Sequence, residues 1–220
     1  MPEALPHLTF DSSSVDALAA DVEFWQLYES AFPSCEREPR SVILDSLRKG
    51  LGFVLRANAG GRTVGLACVH LLRERPVPFL VYLAVAVEVR SRHIGAALFQ
   101  DVWARAQDRY SEWGLSPKGI VWEVDIPERA SSEQELQQSR RRVAFFARLG
   151  GHIMPGHYVQ PPVDGIAPVP MHLMFWPAPG LPLPDDSDLS GLIRAIYFEK
   201  YHAANGIPRA VLEGLLQEQK

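Results

Sequence analysis

The sequence predicts an α/β sandwich: a mixed, mostly antiparallel sheet covered by helices, with a helical extension at the C-terminal end. Three observations predict it. Apolar residues recur at helical spacing in two early segments and at strand spacing in the three runs that follow, and the order then continues helix, strand, helix, strand. A β-branched run, Leu83-Ala84-Val85-Ala86-Val87, stops at the charged stretch Glu88-Val89-Arg90-Ser91-Arg92, and a helix starts directly after it. Hydrophobic residues make up 47% and charged residues 22% of a 220-residue chain, the balance of a globular protein with a sizeable core.

Taken in order, Val15 to Phe32 carries a helical apolar stripe that Pro33-Ser34-Cys35 interrupts. Pro39 suits the first turn of a second helix, which closes near Gly50. Phe53 to Ala57 reads as a strand, Asn58-Ala59-Gly60-Gly61 supplies the positive φ angles of a hairpin turn, and Thr63 to Leu72 is the partner strand. A third run, Phe79 to Val87, follows Pro76 and Pro78 and completes a meander. Ile94, Ala97, Leu98, Val102, Ala106 and Tyr110 mark one face of the next helix. Gly119 to Ile126 is a strand between prolines, Ser131-Ser132-Glu133 opens a helix running to Leu149, and Gly150-Gly151 closes it. Met171 to Trp176 is a late strand. Pro177 to Asp188 has the composition of a linker, and Leu189 to Ala204 and Pro208 to Leu216 read as terminal helices. The expected organisation is one domain over 1–178, with 179–220 as a linker and helical extension packed on it.

Composition excludes several function classes. A net charge of −4 with no basic excess argues against a general nucleic-acid binder, although Arg90 and Arg92, and again Arg140, Arg141 and Arg142, leave room for local anion sites. Cys35 and Cys68 give neither a disulfide framework nor metal-ligand spacing, and His152 and His157 lack a third ligand, so no metal is expected. The start lacks the basic region and apolar run of a signal peptide, and no apolar stretch is long enough to span a bilayer. The expectation is a cytoplasmic protein without membrane or nucleic-acid partners.

The chemistry concentrates at the strand-to-helix turn. A helix that begins near Ile94 points unpaired backbone N–H groups and the positive end of its dipole over the turn. With Arg90 and Arg92 flanking that spot, the natural guest is an anion such as a pyrophosphate.

That turn and the element order resemble the GNAT superfamily of acyl-CoA-dependent N-acyltransferases. The family signature is a strand, Arg/Gln-x-x-Gly-x-Gly/Ala, then a helix; the match is Arg90-Ser91-Arg92-His93-Ile94-Gly95, followed by Ala96-Ala97-Leu98. His93 replaces the first glycine; the backbone donor is retained, and the imidazole is expected to crowd the cofactor's approach or to demand an unusual φ. Ala31-Phe32-Pro33-Ser34-Cys35-Glu36-Arg37, Val64-Gly65 and Arg142 through Gly150 match further family segments, so the resemblance covers roughly Val15 to Trp176. It implies a GNAT-like fold with acetyl-CoA as co-substrate. The pyrophosphate would sit on Arg90, Ser91, Arg92, His93, Ile94, Gly95 and Ala96, and the pantetheine arm would pair with Val85 and Val87. The acyl group would pass directly to the primary amine of a small molecule within a ternary complex.

An alkylammonium, with an unperturbed pKa of about 10, must lose a proton before it attacks. Glu123, Asp125 and Glu88 are the candidate acceptors. Alternation puts Glu123 and Asp125 on one strand face and Trp122 and Val124 on the other; Glu123 lies deeper and is preferred as the base. Phe146 occupies the position of the family tyrosine that reprotonates the thiolate, and Tyr158 is the candidate replacement. Phe145 and Phe146 otherwise read as core, Arg140 to Arg142 as a solvated helix face, and Trp25 and Phe32 as packing residues able to line an acceptor pocket. Three alternatives stand beside the enzyme. They are a catalytically degenerate module that binds acyl-CoA or a protein partner, an interaction module docking through Ile193 to Tyr201, and a site for a nucleotide other than CoA. A homodimer is the assembly considered.

Overall fold

The computed structural model describes residues 8–163, 165 and 167–218, leaving aside the side chains of Cys35 and Glu218. The reading of Cys35 as outside any disulfide framework or metal set therefore falls on a side chain outside the described ones. The chain divides into two compact units: residues up to Leu71 together with Leu80–Gly114, and Leu72–Phe79 together with residues from Leu115 onward.

The first unit holds β1 (Leu8–Asp11), α1 (Val15–Ala19), α2 (Val22–Ala31), α3 (Arg40–Arg48), β2 (Gly52–Ala59), β3 (Arg62–Leu72), most of β4 (Val77–Val85) and α4 (Ile94–Glu112). Its strands follow the order β1-β2-β3-β4, with β1 and β3 antiparallel to β2. The β2–β3 hairpin turns on Gly60 and Gly61, at φ 58° and 78°, the left-handed values that the double glycine supplies. The helix expected over Val15–Phe32 is two helices. Asp21 caps the second, accepting from Phe24 N at 2.9 Å, and also pairs with Arg56, so the break follows from a capping carboxylate in mid-stripe.

The core of this unit joins Leu18, Phe24, Trp25, Tyr28 and Ile43 to Val54, Leu66, Cys68, Tyr82 and Ala84. Two phenols pin the loop that carries Glu36 and Glu38: Tyr28 Oη donates to Glu38 O at 3.0 Å, and Tyr82 Oη accepts from Glu38 N at 2.8 Å and donates to Glu36 O at 3.0 Å. On the other sheet face, a Cβ at Gly65 would meet Leu98 Cδ1 at 2.9 Å and Ala84 O at 3.2 Å, so any larger residue there requires the Leu98 side chain and the β4 carbonyl to give way.

The second unit starts with the first residues of β4, which pair in parallel with β5 (Gly119–Asp125) through Phe79 and Val121. β5 is antiparallel to β8 (Val169–Pro177), which also pairs with β6 (His152–Ile153) and β7 (Tyr158–Gln160). The sequence did not predict β1, β6 or β7; at two to four residues they are too short to show a period. α5 (Glu133–Arg148) stacks Phe146 on Trp122 with ring centroids 4.6 Å apart. Gly151 approaches that indole so closely that a Cβ would meet it at 2.7 Å.

The extension belongs to this unit. α6 (Asp186–Ala195) is capped by Asp185 and runs into a π-helical segment, Ile196–His202, before α7 (Arg209–Glu218). The single helix expected over Leu189–Ala204 therefore changes winding part-way. Arg73 N and Glu74 N donate to the Glu199 carboxylate at 2.6 and 3.0 Å, and Arg75 pairs with Asp188 at 2.7 Å, holding the extension to the β3–β4 turn. The observed class is the predicted one: a mixed, mostly antiparallel sheet with helices.

Candidate active site

In the first unit, β4 ends at Val85, two residues earlier than predicted, because the chain turns there into a single 3-10 turn, Val87–Val89. Ala86 N still donates to Val64 O at 2.9 Å, and Arg90 Nε folds back onto Val85 O at 3.2 Å. Glu88, expected at a strand end, is thus an exposed residue of the 3-10 turn. Val85 is half-buried, and Val87 is 69% exposed.

Ser91 and His93 both adopt left-handed backbone, at φ 64° and 62°. His93 takes the φ a glycine would take, so the unusual φ the sequence anticipates is present; histidine visits this region more readily than most residues, at roughly 1 kcal/mol or more. The chain then enters α4 with no side-chain cap and no acid in the first turn. Ala97 N to His93 O, at 3.0 Å, is the first intrahelical bond, so the amides of Ile94, Gly95 and Ala96 lie ahead of the ladder. Ile94 and Leu98 are buried and seat the helix, while Arg90, Ser91, Arg92 and His93 face solvent. Donors, dipole and arginines all favour a phosphate group, so the residues present fit a CoA pyrophosphate.

In the second unit, alternation along β5 buries Trp122 and Val124 on one side and presents Glu123 on the other. The Glu123 carboxylate is partly buried and collects donors from two elements. Tyr158 Oη donates to its Oε1, Gln160 Nε2 donates to Oε2 at 2.6 Å, and Tyr201 Oη lies 2.8 Å from both oxygens. Burial raises its pKa above the usual carboxylate range; the bonds from Tyr158, Tyr201 and Gln160, and the charge of Lys200, pull the other way without cancelling that rise. Burial and the facing carboxylate push Tyr158 well above an ordinary phenol.

Asp125 does not share this surrounding: it forms an ion pair with Arg142. Arg142 is therefore half-buried and paired rather than part of a solvated face, whereas Arg140 and Arg141 are exposed. Phe146 is core. Trp25 is 2% exposed with Nε1 donating to Leu18 O at 2.8 Å, so it packs in the core, while half-buried Phe32 meets Tyr82 edge-on. The sequence missed Gln160, Lys200 and Tyr201. The available signal was Tyr197 and Tyr201 one helical turn apart within an apolar run, phenols whose hydroxyls need partners once buried.

The model of the GNAT family of acetyltransferases matches residues 22–150. The chain belongs to the GNAT acetyltransferase family. Membership brings the family's activity, acyl-CoA-dependent N-acetyl transfer with acetyl-CoA as co-substrate. Solved structures share the fold at low identity. A Bacteroides thetaiotaomicron chain assigned to GNAT acetyltransferases superposes with a TM-score of 0.65 at 19% identity, covering 86% of this chain and 96% of that one. An Elizabethkingia anophelis GNAT acetyltransferase with acetyl-CoA bound gives 0.51 at 16%, covering 78% and 98%. A Bacillus subtilis acetyltransferase in complex with CoA gives 0.52 at 15%, covering 78% and 99%. No curated protein matches the sequence. Among the described residues, no helix is long and apolar enough to cross a membrane, and no group of three or more His, Cys, Asp or Glu side chains could hold a metal ion.

Proposed function

We propose that this GNAT acetyltransferase transfers the acetyl group of acetyl-CoA directly to the primary amine of a small molecule. The observation that carries the proposal is the Glu123 carboxyl: held by the neutral donors Tyr158, Gln160 and Tyr201, and raised in pKa by burial despite the opposing charge of Lys200. Such a group takes up a proton more readily than an exposed carboxylate, which is what removal of a proton from an alkylammonium needs. Glu123 accepts that proton, directly or through one water; the free amine attacks the thioester carbonyl and forms the carbon–nitrogen bond; the carbon–sulfur bond then breaks, and the second proton on nitrogen passes to the departing thiolate through solvent, leaving a neutral amide and free CoA thiol.

In this reading the amides of Ile94, Gly95 and Ala96 and the side chains of Arg90, Ser91, Arg92 and His93 hold the pyrophosphate, and the backbone of Val85 and Val87 pairs with the pantetheine arm. Tyr158 is assigned to Glu123. Its raised pKa makes proton donation to a thiolate of pKa about 8.5 uphill, so its hydroxyl serves better as the fixed donor to Oε1. A carboxyl partly enclosed by the buried rings of Tyr158 and Tyr201 suits a slender alkyl amine better than an amine on a flat protein surface. Residues 179–220 are taken as part of the same functional domain as 1–178.

The test is thermal protection by acetyl-CoA, followed by thiol release against a panel of amines that includes peptides with free N-termini. A raised melting temperature and turnover with small alkyl amines are expected. Unchanged melting at millimolar acetyl-CoA overturns the assignment, and turnover confined to peptides replaces the acceptor class. Protection without thiol release from any acceptor assigns the non-catalytic acyl-CoA module, the reading that His93 and Phe146 favour.

A further inference from the structure

The C-terminal extension supplies a group to Glu123 that the domain over 1–178 does not contain. Tyr201 lies 78 residues from Glu123 in sequence, yet its hydroxyl stands 2.8 Å from each carboxylate oxygen. Tyr158 and Gln160 take one oxygen each from the β7 side. A carboxylate has about four lone-pair directions; Tyr158 and Gln160 take one on each oxygen, and Tyr201 reaches a further direction shared by the two.

Its own position is fixed. The ring is 2% exposed, with Phe79 and Tyr197 at centroid distances of 6.3 and 6.4 Å, and its carbonyl accepts from Ile207 N at 3.0 Å. The segment that carries it is π-helical: Ala203 N bonds Phe198 O at 3.1 Å and Asn205 N bonds Lys200 O at 3.2 Å. π-helical turns are rare and occur frequently at functional sites, and this one brings Tyr197, Lys200 and Tyr201 together in the buried layer.

We propose that Tyr201 is a positioning residue for Glu123, its hydroxyl holding the carboxylate at one orientation for proton transfer, so that the extension is part of the catalytic apparatus. The inference rests on the reading of Glu123 as the base. The groups that face Glu123 are Tyr158 and Gln160 from β7 and Tyr201 and Lys200 from the π-helical segment, with Tyr197 behind Tyr158 at 6.0 Å and Leu173 opposite on β8. Of these, Tyr201 is the donor that bridges both oxygens.

Tyr201→Phe keeps the ring and removes only the hydroxyl. A carboxylate that loses a donor binds its proton more tightly, so the acid limb of kcat/KM should move to higher pH by about one unit. The carboxyl carbon resonance of Glu123, followed by NMR in full-length protein labelled at glutamate, should titrate with the same displacement. KM for acetyl-CoA should not change. Tyr197→Phe is the structural control: its hydroxyl donates to Val159 O at 2.5 Å, and its loss should leave both midpoints in place. Gln160→Leu removes a different donor and serves as the second variant should Tyr201→Phe fold poorly; it too should move both midpoints upward. If the Glu123 resonance or the acid limb stays put in a folded variant, the inference is overturned. Glu123→Gln turning over at the wild-type rate overturns instead the base assignment beneath it.

Discussion

The turn before α4 and the cluster around Glu123 solve opposite problems. The turn is exposed and made of backbone: left-handed Ser91 and His93, then amides that precede the first intrahelical bond. Any residue but proline supplies an amide, so side chains there can change while the donor array persists. The cluster is enclosed and made of side chains, where the hydroxyls of Tyr158 and Tyr201 and the amide of Gln160 together hold a carboxylate. On the proposed assignment, the first region attracts an anion through charge and dipole and should respond to salt, and the second governs a proton and should respond to pH. That assignment places tolerance to substitution with binding and sensitivity with catalysis.

The largest effect expected is on the proton. Glu123→Gln should lower kcat by a factor of about 10² to 10⁴, the range for loss of a positioned base, with acetyl-CoA affinity by calorimetry unchanged. Equal losses in affinity and rate would erase the division between the two regions. Next, Arg90→Ala and Arg92→Ala should each weaken acetyl-CoA binding by roughly tenfold at low salt and by less at high salt, with little change in kcat.

Packing comes third. Gly65→Ala forces a Cβ onto Leu98 and Ala84 O and should cost about 1–3 kcal/mol, read as a lower melting temperature, with the Glu123 resonance unmoved. The smallest effect concerns the strained turn. His93→Gly should raise the melting temperature by roughly 2–4 °C, corresponding to about 1 kcal/mol of relieved left-handed strain, without abolishing acetyl-CoA binding. A drop would mean the imidazole makes a contact worth more than the strain.

Stability carries its own pH signature. Glu123 binds its proton more tightly folded than unfolded, so its favourable contribution is present below the ordinary carboxylate value and is lost as pH rises through the raised folded value. Melting of the wild type relative to Glu123→Gln should therefore fall across that window.

The turn was legible because its evidence is local: strand run, charged break and helix start lie within Leu83 to Leu98. The hairpin at Gly60-Gly61 and the cap at Ser132 were legible for the same reason. Glu123 could be nominated by alternation along one strand, but its partners could not. Tyr158, Gln160 and Tyr201 lie 35, 37 and 78 residues away, brought close by β7 and by a π-helical segment that has no sequence period to announce it. Arg142 was misplaced for the same reason, since its acid lies on β5. Asp21 hid a helix break because a capping aspartate inside an apolar stripe looks like an ordinary exposed position.

The most direct test is kcat/KM against pH for the wild type and Glu123→Gln, with one small alkyl amine at saturating acetyl-CoA. The wild type should lose activity on the acid side with a midpoint above the ordinary carboxylate range, and Glu123→Gln should show only a low residual rate without that limb. Superimposable profiles at comparable rates would contradict the assignment of Glu123 as the base.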